Sequence, residues 1–324
     1  MKIIIHIGPH KTASSYLQRE LYKHKEELDS AGVIYPVNEW IQGGYGHAGL
    51  IDKSRLNEIG EFLVSLSSSH LNTQTVVLSS ENFDRLNVEQ VQNLSSMIRH
   101  EVEIVYYIRR FDKTLYANWQ ENVKFGDTNS LAFYLLRHIS RPYLSNIINH
   151  CLVLDNWSKY FGIDSIKIID YDDLIENKID IYRHFLQNIL SISPSSLSLN
   201  LGGKANISLS VEHAEILRWM HIMFMTRKNN STTKITQRFF HLLKENSNIF
   251  SDITHVFKNN LKLIELNDHS LLGSVYNNFK EKYARQIING SGQFRLDSIS
   301  IIDDDISPSE NISSQLLKIK NSFV

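Results

Sequence analysis

The segment Gly8-Pro9-His10-Lys11-Thr12-Ala13-Ser14-Ser15 combines one lysine with three hydroxyl side chains between an isoleucine-rich run and a helical stretch. Where a strand hands over to a helix, backbone N–H groups and the helix dipole converge on one point and attract anions. Lys11 adds a mobile positive charge there, and Thr12, Ser14 and Ser15 add donors, so the parts of a phosphate or sulfate cradle are present. The segment is not a Walker A loop, in which glycine directly precedes the Lys-Ser/Thr pair: His10 holds that place, which disfavours ATP. The same residues also read as an N-capped helix start, with Thr12 or Ser14 satisfying free amides and Lys11 solvated.

Four apolar runs are each followed by a helical pattern, and these must position the loop. Residues 2–7 precede a helix running to Gly32, and Thr75–Leu78 precede one near Val88–Ile98. Val102–Ile108 precede one at about Asp112–Lys124, and Ser165–Ile169 precede one near Ile179–Leu190. Repeated strand–helix units predict an α/β fold, a parallel sheet covered by helices on both faces, with ligands at the carboxyl ends of the strands. From about residue 204 helical patterning dominates, at 210–226, 232–245 and 272–287, which predicts a C-terminal helical cap. Residues 1–203 are expected to form the α/β core, and residues 204–324 a mainly helical region packed on it within the same domain. Arg227–Thr233 and Asp303–Ser309 read as solvated connectors.

The run His6-Ile7-Gly8-Pro9-His10-Lys11-Thr12-Ala13-Ser14-Ser15-Tyr16-Leu17-Gln18 resembles the 5′-phosphosulfate loop of sulfotransferases that use 3′-phosphoadenosine 5′-phosphosulfate (PAPS). The resemblance implies a three-layer, P-loop-like α/β fold and a donor site built from Lys11, Thr12, Ala13, Ser14 and Ser15. Ala13 replaces the usual glycine, which a helix N-terminus tolerates if its φ is negative. Tyr106-Tyr107-Ile108-Arg109-Arg110 and the following Asp112–Trp119 resemble the family's 3′-phosphate motif, an arginine at a strand end and a serine eight residues on. Arg109 matches the arginine. The serine position is Ala117, a loss of one charge-assisted hydrogen bond of roughly 1.5–3 kcal/mol unless Asn118 compensates. Arg109 and Arg110 otherwise read as a solvated or ion-paired strand end.

Two further segments fit the same order along residues 1–192. Leu78-Ser79-Ser80-Glu81-Asn82-Phe83 resembles a Ser-Ser-Glu motif of bacterial relatives. It puts a carboxylate at the sheet edge that Lys11 shares, where Glu81 could take the proton of an acceptor hydroxyl, or else cap a helix or pair with Lys11. Asp170-Tyr171-Asp172-Asp173-Leu174 resembles a Tyr-Glu-Asp-Leu segment, with Asp172 and Asp173 suited to capping the next turn. His10 and His47 are reserve bases, His47 because it sits in the glycine-rich stretch Gly43–Gly49 that could border an acceptor, although a lone histidine is more often structural. Lys204 and Asn206 either reach the 3′-phosphate or start a plain loop.

Composition narrows the classes. Lysine plus arginine (34) nearly equal aspartate plus glutamate (35), so no global field draws the chain to nucleic acid or to an acidic membrane, and any anion site is local. The single cysteine, Cys151, excludes an internal disulfide framework and reads as a small buried apolar residue. His6 and His10 lie on a strand and loop rather than one helical face, and no Cys/His/acidic ligand set is evident, so no metal is expected. The apolar start is too short for a signal sequence and no run of about 18 apolar residues occurs, which leaves the cytoplasm as default. The expected activity is sulfuryl transfer from PAPS to a hydroxyl, with a glycan or glycolipid acceptor suggested by analogy and 3′-phosphoadenosine 5′-phosphate as product. Two alternatives stand beside it: a non-catalytic nucleotide-binding or scaffold protein, and a P-loop-like nucleotide kinase. The oligomeric state is not encoded legibly.

Overall fold

The computed structural model describes residues 1–69, 75–196, 208–224, 231–245, 248, 250–264, 270–290 and 299–302. In chain order the elements are β1 (Lys2–His6), α1 (Ser14–Lys23), α2 (Lys25–Ser30), β2 (Val33–Ile34), α3 (Lys53–Leu56), α4 (Glu58–Ser69), β3 (Thr75–Ser79), α5 (Val88–Met97) and β4 (Glu101–Ile108). There follow α6 (Phe111–Lys124), α7 (Leu131–Ile139), α8 (Cys151–Phe161), β5 (Ile166–Asp170), α9 (Tyr171–Glu176) and α10 (Ile181–Asn188). The chain continues through α11 (Val211–Phe224), α12 (Thr232–Glu245), α13 (Ser251–Lys258), β6 (Leu261–Ile264), α14 (Ser270–Tyr283) and β7 (Ile299–Ile302).

The fold class is α/β, as expected. Five parallel strands run in the order β2-β3-β1-β4-β5, with β1 in the middle. Ile3, Ile4 and Ile5 are wholly buried, because a central parallel strand is covered on both faces. One face carries Ile4, Val77, Val105, Tyr107 and Ile169 against Leu17, Leu21, Leu28, Tyr182, Phe185 and Leu186 of α1, α2 and α10. From β1 the chain moves outward to β2, whereas from β3 and β4 it moves the other way along the sheet. The exit of β1 is therefore the point where strand order reverses, the usual place for a ligand in an open α/β sheet. The long first helix expected from the sequence is broken at His24, whose backbone leaves the helical region (φ −100°, ψ 23°).

The chain forms two compact units. One comprises Met1–Arg110, Asn149–Ala205 and Val275–Phe294; the other Phe111–Ile148, Asn206–Ser274 and Arg295–Val324. The expected boundary at residues 203/204 lies near one crossing, but each unit is assembled from three separate stretches. From Val275 onward α14 belongs to the α/β unit, where Asn278 Nδ2 donates to Cys151 Sγ (3.6 Å) and Tyr283 Oη to Asp155 Oδ1 (2.7 Å). The second unit also holds β6 and β7, which pair antiparallel. Within that unit Gln120 exchanges two hydrogen bonds with the backbone of Leu209, and Arg218 bridges Glu215 and the Thr128 carbonyl. Lys204, Asn206, most of Arg227–Thr233 and Asp303–Ser309 lie outside the described residues.

Candidate active site

The loop leaving β1 is shaped by backbone geometry. Gly8 has φ 99°, and a Cβ on it would stand 3.1 Å from the Glu81 carbonyl, so only glycine lets the two chains approach this closely. Lys11 (φ 69°) and Ala13 (φ 61°) are both left-handed, on either side of Thr12. Changes of handedness along a short segment turn its N–H groups toward a common point and create an anion-binding concavity. This corrects the expectation for Ala13, which is the N-cap of α1 in the very conformation that its Cβ disfavours. The amides of Ser14 and Ser15, in the first turn of α1, have no intrahelical partner.

The loop hydroxyls play a different part from the one expected. Thr12 Oγ1 and Ser14 Oγ both donate to the Pro9 carbonyl, at 2.7 and 3.2 Å, and both residues are buried. They pin the loop, while Ser15 is exposed. Arg109, at the end of β4, donates from Nη1 to the Lys11 carbonyl (2.6 Å) and lies 5.2 Å over the Tyr171 ring. Its Nε is buried without a hydrogen-bond partner among the described residues. Asn118, on α6, donates back to the Thr114 carbonyl (2.9 Å).

Beside the loop, Glu81 begins a 3-10 turn over Glu81–Arg85, and His10 Nδ1 stands 3.4 Å from its Oε1. Burial pushes the Glu81 carboxyl up, but His10, His6 and Lys11 together outweigh it and hold the group below its ordinary value. His10 Nε2 is buried and has no hydrogen-bond partner among the described residues. Asp84, not singled out in the sequence, is one 3-10 turn beyond Glu81, so the two carboxylates share a face. Burial drives its carboxyl up to about 6; His10 and Arg85 oppose this and Glu81 adds to it.

His6 belongs to the same edge. Register places it beside Ser79, and Gln18 Nε2 donates to Ser79 Oγ (3.3 Å), which lies 2.8 Å from His6 Nδ1. Burial lowers the His6 pKa to about 4 against the pull of Glu81, so the ring is neutral at pH 7.

His47 is removed from the candidate bases. It is wholly buried, its Nε2–H donates to the Pro36 carbonyl (2.8 Å), and its Nδ1 accepts from the Ser79 amide (2.9 Å). Both nitrogens of one neutral tautomer are thus engaged, and burial holds its pKa at about 4. Its backbone amide also bonds the Ser79 carbonyl (2.8 Å), so His47 staples the glycine-rich stretch to the end of β3. The Asp172 and Asp173 capping assignment is corrected too. Asp170 caps α9 by accepting from the Asp173 amide (3.2 Å), and Asp172 instead accepts from the Arg110 amide (2.7 Å), fixing the exit of β4.

Among the described residues no group of three or more His, Cys, Asp or Glu could hold a metal, and no helix is long and apolar enough to cross a membrane. No family model matches the chain, and no curated protein matches it. Among solved structures, a sulfotransferase from Alicyclobacillus acidocaldarius is similar over 61% of this chain and 85% of its own, at 14% identity and a TM-score of 0.37.

Proposed function

We propose that the protein transfers a sulfuryl group from PAPS to an acceptor hydroxyl. The observation that carries this reading is the loop after β1: two left-handed residues, Lys11 and Ala13, at the N-terminus of α1, with Arg109 bonded across to the Lys11 carbonyl. Such a cradle suits the 5′-phosphosulfate, and the unpartnered Nε of Arg109 leaves that guanidinium a donor for a second phosphate, the feature that sets PAPS apart from ATP.

In the proposed step the acceptor oxygen attacks sulfur in line. The bond from sulfur to the bridging 5′-phosphate oxygen breaks, and its electron pair leaves on that phosphate, where Lys11 and the α1 amides neutralise it. The acceptor proton goes to His10 Nε2. Glu81, ionised and facing Nδ1, selects the tautomer that leaves the Nε2 lone pair available, and dyad distances such as this 3.4 Å commonly tighten when substrate binds. Glu81 is thus the orienting carboxylate rather than the base first expected. A glycan acceptor and a cytoplasmic setting belong to this reading by analogy.

Calorimetry tests it. 3′-Phosphoadenosine 5′-phosphate should bind more tightly than ADP or ATP, and Lys11→Ala should weaken it about 10- to 100-fold, the worth of a charge-assisted contact. Tighter binding of ATP would sink the proposal. Ala117 favours one rival reading, a nucleotide-binding scaffold that keeps the site without turning over. Tight binding of the product nucleotide with no release of it from PAPS, across hydroxyl acceptors, would favour that rival.

A further inference from the structure

In the second unit, α7 and the 3-10 turn that follows it (Pro142–Leu144) expose large apolar side chains that the sulfuryl-transfer reading leaves unused. Phe133 is 54% exposed, Leu136 65%, Tyr143 45% and Leu144 73%. Phe133, Leu136, Arg137 and Ser140 follow helical spacing along one exposed strip of α7, whose opposite side is anchored by buried Leu131, Tyr134 and Leu135. His138 Nδ1 lies 2.8 Å from Ser145 Oγ, which ties the residue after the turn back to α7.

Charge identifies the partner. From Thr128 to Ile148 the chain contains no aspartate or glutamate, while Arg137 and Arg141 are both exposed. The nearest acidic residue in sequence, Asp127, precedes the run, and its Oδ1 accepts from the backbone and side-chain amides of Asn129. Exposed phenylalanine, tyrosine and leucine with arginines at their margin form the pattern of an interfacial element. The apolar groups enter the acyl boundary and the guanidinium groups meet anionic headgroups. Four large apolar side chains exposed within one short stretch also need a reason to persist on a surface.

We infer that α7 and the Pro142–Leu144 turn dock reversibly on a bilayer carrying anionic lipid. The inference is independent of the transfer reaction. The test is sedimentation of the full chain with vesicles of phosphatidylcholine alone or mixed with phosphatidylserine, at low and high salt. Wild type should pellet with the mixed vesicles and be released by salt. Arg137→Gln/Arg141→Gln should lower partitioning about 30-fold, from about five-fold per arginine near an anionic surface. Leu136→Glu/Leu144→Glu should abolish it, with far-UV dichroism and melting temperature unchanged because both sites are exposed. Wild type that stays in the supernatant, or that pellets equally with neutral vesicles, overturns the inference. So does a dimer seen by light scattering that the Leu136→Glu/Leu144→Glu variant dissolves, since that outcome assigns the patch to a second copy.

Discussion

Asp84 is a buried carboxyl that the protein keeps at a cost, and Asp84→Asn measures that cost. Burial raises its pKa from 3.8 to about 6, a shift of about two units. Each unit corresponds to about 1.4 kcal/mol, so the upper bound is about 3 kcal/mol. His10 and Arg85 oppose the rise, and Arg85, at 3.9 Å, is 62% exposed, so its share is screened and small. Below about pH 4 the carboxyl is protonated in both folded and unfolded chains and adds nothing. Between about pH 4 and pH 6 the unfolded chain releases the proton while the folded chain retains it, so stability falls as pH rises. Above about pH 6 the penalty is complete. Asparagine is nearly isosteric and never ionises. Urea unfolding should therefore find the variant equal to wild type near pH 4 and more stable by about 1–3 kcal/mol at pH 8. A gap that does not change with pH, or a variant less stable at pH 8, refutes the reasoning. If Asp84 serves the site, the more stable variant will also be the slower one, as expected where stability is given up for function.

Three other outcomes follow from the same geometry. Ala13→Gly relieves a left-handed alanine worth about 1–2 kcal/mol but gives back unfolded-chain entropy and part of a methyl contact with the core, for a net gain of about 0.5 kcal/mol. Ala13→Val, strained at the same φ, should lose at least about 2 kcal/mol in the same urea titration; equal stability of the two variants would remove the left-handed assignment. His47→Leu strands the Pro36 carbonyl and the Ser79 amide and should cost about 2–4 kcal/mol while leaving the shape of the pH–rate profile intact. A lost inflection without lost stability would restore His47 as a base. Arg109→Lys keeps the charge but cannot both hold the Lys11 carbonyl and reach a phosphate, so product-nucleotide affinity should fall about 10-fold or more by calorimetry; unchanged affinity would confine Arg109 to a structural role.

The sheet was legible because its strands are buried on both faces. Ile3–Ile5, Val76–Leu78, Ile104–Ile108 and Ile166–Ile169 read as unbroken apolar runs, with Lys167 the one interruption. β2 was not legible, since two residues carry no period, nor were β6 and β7, two four-residue strands whose register rests on pairing rather than on local pattern. At the candidate site, residue types drew notice to Lys11, Glu81 and Arg109, but conformation stayed hidden. Nothing in the letter for alanine signals a positive φ, and nothing in His47 signals that a carbonyl and an amide meet its two nitrogens. Asp84 did carry a signal, its three-residue spacing from Glu81, which matters only once the segment is known to be a 3-10 turn.

Arg109 illustrates why role and position separate. A guanidinium offers five N–H donors in a fixed plane. Here one nitrogen holds the Lys11 carbonyl, the face rests on Tyr171, and Nε keeps a hydrogen without a partner among the described residues. The carbonyl bond fixes the loop at the point where Lys11 turns left-handed, so the group that would meet a phosphate also preorganises the amides that would meet another. A loop held in this way loses little entropy on binding an anion, which is the main advantage of a preformed cradle over a flexible one. The strained Ala13 is the counterpart of that arrangement: the backbone energy it stores is tolerable because Thr12, Ser14 and Arg109 together over-determine the loop.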